Sequence, residues 1–186
     1  MIRSAARPLW GAVLIVAATA AILWLMGRPA LCTCGDIDLW VGSASSPKTS
    51  QMLADWYSLS HLIHGLLFYA ALHLLMPGAP VQRRLAVATL IEAAWELLEN
   101  SPVIIDRYRE ATIALGYTGD SILNSVSDIA MMAAGFGLAR RLPVWASAAL
   151  AIGLELLALS VIRDNLTLNV WMLLAPSETV RAWQAG

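Results

Sequence analysis

The chain has 186 residues, of which 59% are hydrophobic and only 13% are charged. Soluble domains carry about 25% charged and 45–50% apolar residues, so the composition argues against a water-soluble globule and against a disordered chain. Twelve basic and 13 acidic residues leave a net charge of −1, so the electrostatic footprint of a nucleic-acid-binding protein is missing and we expect no nucleic-acid partner. The length suits one domain over residues 1–186, and five membrane spans would use about 100 residues of it.

Five apolar segments follow one another along the chain. They are residues 9–26, 59–76, 85–98, 122–139 and 144–162. The first contains no charged residue, and no A-x-A cleavage site follows it, which favours an uncleaved anchor over a signal peptide. The third is shorter than the others and is interrupted by glutamates. Together they predict a multi-pass membrane protein.

The last part of the chain has a different pattern. Residues 166–174 are apolar but too few to cross a bilayer, so we expect an interfacial or re-entrant segment there, followed by a short amphipathic tail. The fold class that the sequence predicts is therefore all-α. It is a polytopic membrane bundle of about five transmembrane helices with a short C-terminal interfacial helix.

The basic residues of short loops predict the orientation of the spans. Six arginines, with no acidic residue among them, occupy the N-terminal segment and the second and fourth connections: Arg3, Arg7, Arg83, Arg84, Arg140 and Arg141. The remaining connections also carry six basic residues, but these are mixed with acidic ones. We therefore expect a cytoplasmic N-terminus and long loops on the outer side.

Ionisable residues within the predicted spans are the main functional signal, because such groups are costly in a membrane and mark functional sites. His61 and His64 lie one helical turn apart on the second span. Glu92, Glu96 and Glu99 have the i, i+4, i+7 spacing of one helical stripe on the third.

The fourth and fifth spans add further polar groups. Asp120, Asn124 and Asp128 repeat every four residues, and Glu155 lies on the fifth span. In the expected orientation, all these groups fall in the outer-leaflet half of the membrane. His73, near the inner end of the second span, is given a packing role. The sequence thus predicts that four helices bring polar side chains to the outer leaflet.

Two imidazoles and several carboxylates suit a divalent transition metal such as zinc, manganese or iron. The predicted metal ligands are His61, His64, Glu96 and Asp128. A metal would also offset the repulsion among neighbouring carboxylates. Two alternatives stay open: protonated carboxyl groups in a proton or ion pathway, and a hydrogen-bonded network that only fixes helix packing.

The segment between the third and fourth spans, interpreted as a loop, places Arg107 and Arg109 close to the acidic stripes. They could pair with Asp106 and Glu110, or hold the phosphate of an anionic lipid headgroup in bidentate fashion. A second short motif, Cys32-x-Cys34, is interpreted as structural or incidental, because two cysteines do not make a zinc site.

The leading hypothesis is an intramembrane metal-dependent hydrolase or transferase acting on a lipid or lipid-linked substrate. In it Glu92 or Glu99 is the general base, and Arg107 and Arg109 hold the headgroup. The competing hypotheses are a proton- or ion-coupled transport or binding module and a structural assembly factor. Motifs for nucleotide or Rossmann cofactors are not found.

Three strings of the sequence resemble an uncharacterised family of alphaproteobacterial inner-membrane proteins. They are DWYSLSHLIHG, IEAAWELLENSPVIIDRYREATIALGYTGDSILNSVSD and IRDNLTLNVWMLL. This resemblance covers most of the chain and implies a multi-pass protein of the inner membrane, with no established activity. A fainter similarity is to VanZ-like membrane proteins, in which an acidic span, an arginine loop and an Asp/Asn span occur in that order.

Overall fold

The computed structural model describes residues 7–114 and 116–186. Over these residues the chain forms eight α-helices and no β-strand, which confirms the predicted all-α class. The helices are α1 (Arg7–Leu25), α2 (Ser58–Leu75), α3 (Val81–Glu99), α4 (Pro102–Ala111), α5 (Ile122–Arg141), α6 (Val144–Ile162), α7 (Leu166–Leu174) and α8 (Glu178–Ala185).

The helix α4 corrects the sequence interpretation, which treated this stretch as a loop. Ser101 has an extended backbone, and Pro102 occupies the first turn of the helix. Proline suits that position because its backbone needs no hydrogen bond there and its φ is already helical. The helix buries Ile105 and Tyr108, while its polar residues remain outside, so it lacks the continuous apolar run that marked the other helices.

Three of the helices, α2, α5 and α6, are long and apolar enough to cross a membrane. The apolar part of α1, Trp10–Leu25, is shorter. The helix α3 has the length of a span, but it carries two arginines and three glutamates. Among the described residues, the structural indication of a membrane protein therefore comes from these three helices.

The helices α2 and α5 form the centre of the bundle, and their backbones touch at two glycines. A Cβ atom at Gly65 would overlap the carbonyl oxygen of Met132, and one at Gly135 would overlap the carbonyl oxygen of Leu62. Small residues allow this close approach, which is a common way of packing helices in membranes. An apolar core lies beside this contact: Leu72, Ala88, Ala93, Ile129, Met132 and Phe136.

The remaining helices are arranged around this pair. The helix α1 packs mainly on α3, and α6 contacts mainly α2. Of the 19 residues of α6 only Ala158 is buried, so the helix exposes an apolar surface along most of its length.

The segment from residue 26 to residue 57 covers the start of α5. The Ser121 amide donates to the Ser50 carbonyl at 2.9 Å, and the Asn124 side-chain amide donates to the Met52 carbonyl at 2.9 Å. In the same segment, a disulfide joins Cys32 and Cys34. The connections α1–α2 and α4–α5 therefore meet at one end of the bundle.

The opposite end of the bundle is basic. The turns α2–α3 and α5–α6 are short, and Arg84 lies beside His73, with a guanidinium nitrogen 2.8 Å from His73 Nδ1. The His73 ring stacks on Tyr69 with centroids 5.9 Å apart. This histidine is exposed, so it packs at the surface and belongs to no buried site.

Candidate functional site

The centre of the polar cluster is the fully buried carboxylate of Glu92, which lies between two histidines. Its Oε1 atom is 2.5 Å from His61 Nδ1 and 3.1 Å from His64 Nδ1. The i, i+3 spacing on α2 directs both imidazoles toward α3. One nitrogen or oxygen atom from each of these three residues lies within 4.8 Å of the others, which is close enough to share an ion.

A second group overlaps the first and shares His61 with it. One ligand atom from each of His61, Glu96 and Glu99 also lies within 4.8 Å of the others. His61 Nδ1 is 3.5 Å from Glu96 Oε1. Glu96 is completely buried, and neither of its carboxylate oxygens has a hydrogen-bond partner among the described residues.

Asp128 approaches His61 from the opposite side of the imidazole ring. Its Oδ2 atom is 3.7 Å from His61 Nε2, and its Oδ1 atom accepts a hydrogen bond of 2.7 Å from Ser58 Oγ. This position suits a residue that orients the imidazole, because the nitrogen that faces Asp128 is not the one that faces the glutamates.

The structure therefore brings the four predicted metal ligands into one cluster, but it groups the ligand atoms differently. The two groups that could share an ion contain Glu92 and Glu99, which were predicted as general bases, and they do not contain Asp128. The difference depends on which side of the His61 ring each carboxylate occupies, and residue spacing does not determine that.

Further polar residues, which the sequence analysis did not assign to the site, connect the cluster to the covering loops. We use this name for the α1–α2 and α4–α5 connections, which meet at this end of the bundle. Asn100 exchanges two hydrogen bonds with Asp120: its side-chain amide donates to Oδ2 at 2.8 Å, and its Oδ1 accepts from the Asp120 backbone at 2.7 Å. The Tyr117 hydroxyl donates to Asp120 Oδ1 at 2.9 Å. Burial raises the pKa of the Asp120 carboxyl, and these side-chain hydrogen bonds act in the opposite direction.

Tyr108 also contacts the polar cluster, and it joins the three helices α3, α4 and α7. Its hydroxyl lies 2.9 Å from Glu99 Oε1 and 2.9 Å from Asn169 Oδ1, so either oxygen can accept its proton. The tyrosine projects from α4, the helix that the sequence analysis missed, between α3 and α7. The Pro102 start signal could have located this helix, but no local pattern indicates that its tyrosine reaches Glu99.

A cavity of about 410 Å³ opens beside the cluster. The α1–α2 and α4–α5 connections and residues of five helices, α2, α3, α4, α5 and α7, surround it. Its lining includes three groups of the cluster, His61, Glu99 and Asp128, together with Asp120 and the tyrosines Tyr57, Tyr108 and Tyr117. A small polar group that enters this cavity would therefore meet both histidine and carboxylate side chains.

The two predicted headgroup-binding arginines lie outside this cavity. The Arg107 Nε donates to the Leu173 carbonyl at 2.8 Å, so this arginine joins α4 to α7. The Arg109 Nε donates to the Tyr117 carbonyl at 2.6 Å, and its guanidinium also lies 3.6 Å from Asp106. Arg109 thus borders the outer side of a cavity wall without lining the cavity.

Glu155 does not join the cluster, although the sequence predicted that α6 would contribute to it. Its carboxylate accepts hydrogen bonds from the backbone amides of Leu166 and Thr167, at 2.9 and 3.1 Å. These amides belong to the first turn of α7, where backbone donors lack helical partners. Glu155 therefore caps α7, and the convergence of polar groups concerns α2, α3 and α5.

The site and fold define a class: an all-α protein in which three of the described helices are long and apolar enough to cross a membrane, with a buried histidine–glutamate cluster. The chain belongs to the family described as "Protein of unknown function (DUF2585)", whose model matches residues 23–186. This confirms the resemblance to an uncharacterised alphaproteobacterial family, whereas the VanZ-like similarity stays a prediction.

Relatives of similar length carry the description "UPF0314 protein". The one from Paracoccus denitrificans is 56% identical over 179 residues, covering 96% of this chain and 93% of that protein. The one from Sphingopyxis alaskensis is 56% identical over 172 residues, covering 92% of each chain. The one from Rhizobium meliloti is 55% identical, with 92% and 87% covered. No solved structure matches the chain.

Proposed function

We propose that the protein is a multi-pass inner-membrane protein whose five spans are α1, α2, α3, α5 and α6, with the N-terminus in the cytoplasm. Two of the α3 glutamates, Glu92 and Glu96, are fully buried against neighbouring helices, so α3 can cross the membrane without exposing them to lipid. The disulfide between Cys32 and Cys34 lies at the end of the bundle that carries the cluster. Disulfides persist in oxidising compartments, which supports placing this end outside.

Reporter fusions test this topology. We expect fusions after Arg84 and Arg140 to report a cytoplasmic location and fusions after Ser45 and Tyr117 a periplasmic one. The reverse pattern would place the cluster in the inner leaflet and overturn a function at the outer surface.

We infer further that the cluster holds a divalent transition metal such as zinc. The observation that carries this inference is Glu96, whose two carboxylate oxygens are buried without hydrogen-bond partners, 3.5 Å from an imidazole. A buried carboxylate in such surroundings is costly unless a cation or a proton satisfies it. A purely structural network would have supplied hydrogen bonds to it.

The donor set fits such an ion, since zinc and similar metals bind imidazole nitrogen and carboxylate oxygen. Two sets of residues could hold it: His61 with His64 and Glu92, or His61 with Glu96 and Glu99. Asp128 and Ser58 would fix the orientation of the His61 ring, as carboxylates behind metal-binding histidines commonly do.

The reaction that this arrangement supports best is hydrolysis or group transfer on a lipid or lipid-linked substrate at the outer leaflet. A bound metal would supply a polarised substrate oxygen or an acidified water. Glu99 lines the cavity and would accept a proton from a group within it. Arg107 and Arg109 would contact an anionic phosphate at the membrane surface, outside the cavity.

Elemental analysis of detergent-purified protein tests the metal site. We expect about one transition-metal ion per chain in the wild type and none in the His61→Ala/His64→Ala variant. His73→Ala is the matched control, because this third histidine lies on the same helix but at the opposite end, and we expect it to retain the metal.

A wild type without stoichiometric metal, whose thermal stability and cellular function are unchanged by chelators, would contradict the metal site. The remaining explanation for Glu96 would then be a protonated carboxyl network. A proton-flux assay in reconstituted vesicles would distinguish a transport role for that network from an assembly role.

A further inference from the structure

The cavity beside the cluster is walled by aromatic rings. Tyr57, Tyr108 and Tyr117 all line it. The rings of Tyr108 and Tyr117 have centroids 5.1 Å apart and an interplanar angle of 74°, so the two rings pack edge to face in the cavity wall. Aromatic walls of this kind attract organic cations, because the face of the ring carries negative charge.

The cavity also has an excess of acidic groups. Its lining includes the carboxyl groups of Glu99, Asp120 and Asp128, and no lysine or arginine is found among its described lining residues. Glu96 lies immediately behind this lining. It is fully buried with both oxygens unpartnered, and its ligand atom is within 4.8 Å of those of His61 and Glu99.

A divalent metal would not balance this excess. Five carboxyl groups occupy the cluster and the cavity wall: Glu92, Glu96, Glu99, Asp120 and Asp128. A divalent ion supplies two positive charges. Two arginines lie near the cavity wall without lining the cavity: Arg28, whose guanidinium packs against Gly119, and Arg109, which is held by the Tyr117 carbonyl and Asp106. A phosphate inside the cavity would meet these carboxylates without a positive side chain of the protein.

We propose that the cavity binds an organic ammonium group, with Tyr108 and Tyr117 as its aromatic walls and Glu99 and Asp120 as its counter-charges. The inference rests on the proposed function, since it names the substrate class that this same cavity takes. The ammonium group can belong to an amine-bearing lipid headgroup or to a soluble amine. In the lipid case, the headgroup phosphate remains outside, on the side of Arg109.

The binding test uses the purified full-length chain in an uncharged detergent, with thermal unfolding followed by tryptophan fluorescence. The soluble probes are choline, ethanolamine, 3,3-dimethylbutan-1-ol and glycerol 3-phosphate, at matched ionic strength. Dimethylbutanol has the shape of choline without its charge, and glycerol phosphate is an anion without an amine. We expect choline or ethanolamine to raise the unfolding temperature with the logarithm of its concentration once this exceeds Kd, and the other two to leave the unfolding temperature unchanged.

A second arm distinguishes the two sources of the ammonium group. Mixed micelles contain either phosphatidylethanolamine or phosphatidylglycerol at equal mole fraction. Stabilisation by phosphatidylethanolamine at a far lower concentration than by soluble ethanolamine identifies a lipid headgroup. Stabilisation by the soluble amines alone identifies a soluble ligand. Stabilisation by phosphatidylglycerol and glycerol phosphate, and not by amines, overturns the proposal.

Variants of one wall test the site itself. Tyr117→Leu removes the aromatic face, and we expect about tenfold weaker amine binding. Tyr117→Phe keeps that face, so binding should stay within severalfold of the wild type even though the hydrogen bond to Asp120 is lost. Tyr69→Leu, at the opposite end of the bundle, is the control and should bind like the wild type.

Metal analysis of the same samples separates this proposal from the proposed enzyme. Protein that carries metal but shows no amine-dependent stabilisation, or that responds equally to dimethylbutanol, overturns the ammonium site alone. Amine-dependent stabilisation in metal-free protein overturns the metal site and leaves the ammonium site supported. Unchanged amine binding in Tyr117→Leu contradicts the assignment of the walls.

Discussion

The helices α2, α3 and α5 build two halves of very different chemistry. In the half below the covering loops they contribute His61, Glu92 and Asp128, and in the other half they contribute Leu72, Ala88 and Phe136. The apolar half packs these helices without any ionisable group in its core. Packing the three helices together thus does not itself require buried charge, which supports the proposal that the polar half holds a ligand.

The largest expected effect is a loss of stability at the contact between α2 and α5 that joins the two halves. Gly65 lies one turn after His61, where the backbones of α2 and α5 touch. We expect Gly65→Ala to destabilise the protein by about 3 kcal/mol or more, since its Cβ would overlap backbone atoms that cannot move independently. Gel filtration in detergent and thermal unfolding measure the loss.

Gly153→Ala is the matched control for this substitution. It lies within α6, and a Cβ atom there has no heavy atom within 4 Å among its surroundings. We expect it to leave the elution profile and the unfolding temperature almost unchanged. Equal behaviour of the two variants would show that the close contact of α2 and α5 does not hold the halves together.

The second prediction concerns the polar half alone. Glu96→Gln keeps the shape of the side chain but removes its charge. If Glu96 is a metal ligand, we expect metal affinity to fall by about 100-fold, in the upper range reported even for groups that support metal ligands. Elemental analysis and a competition titration with a chelator measure this loss.

The control for this variant is Glu155→Gln, the same substitution in the glutamate that caps α7. It should weaken the cap by about 1 kcal/mol and leave the metal content intact. A Glu96→Gln variant that keeps its metal and its cellular function, with only about 1–3 kcal/mol of destabilisation, would support a structural hydrogen-bonding role.

A smaller effect is expected outside the two halves, at Asp164 in the connection between α6 and α7. Burial raises the pKa of Asp164 to about 6. Its folded form therefore holds a proton more tightly than the unfolded chain does, so the free energy of unfolding falls as the pH rises from about 4 to 6 and stays lower above that range. Tyr57 and Gln184 contact this carboxyl from the other elements.

We expect Asp164→Asn to remove this pH dependence. At pH 8 the variant should be more stable than the wild type by about 2–3 kcal/mol, because no buried charge forms, and near pH 4 the two should be nearly equal. Unfolding in detergent at both pH values measures the difference. A variant that is less stable at pH 8 would show that Asp164 is stabilising in its ionised form.

Helical spacing was sufficient to predict that the stripes on α2, α3 and α5 converge. Periodicity places Glu92, Glu96 and Glu99 on one face, and the order of short and long connections places that face beside the histidines. Spacing could not assign the roles of Glu92 and Asp128, because these depend on which nitrogen of His61 each carboxylate faces.

The contributions of Asn100, Tyr108 and Tyr117 were beyond prediction for a different reason. Each reaches the site through a contact between separate elements, and neutral side chains give no signal of an unusual environment. Glu155 was assigned to the cluster because a charged group in an apolar helix indicates a buried site. In the structure its carboxylate instead accepts hydrogen bonds from the first turn of α7.

The separation in sequence between the partners of the cluster has a consequence for the synthesis of the protein. Glu92 lies 31 residues after His61, and Asp128 lies 70 residues after Ser58. At roughly 5–20 residues per second, α2 is complete several seconds before its last partner leaves the ribosome. During that interval α3 can already offer Glu92 to His61, but Ser58 and the Nε2 atom of His61 still lack Asp128, so this side of the cluster is completed only when α5 has been synthesised.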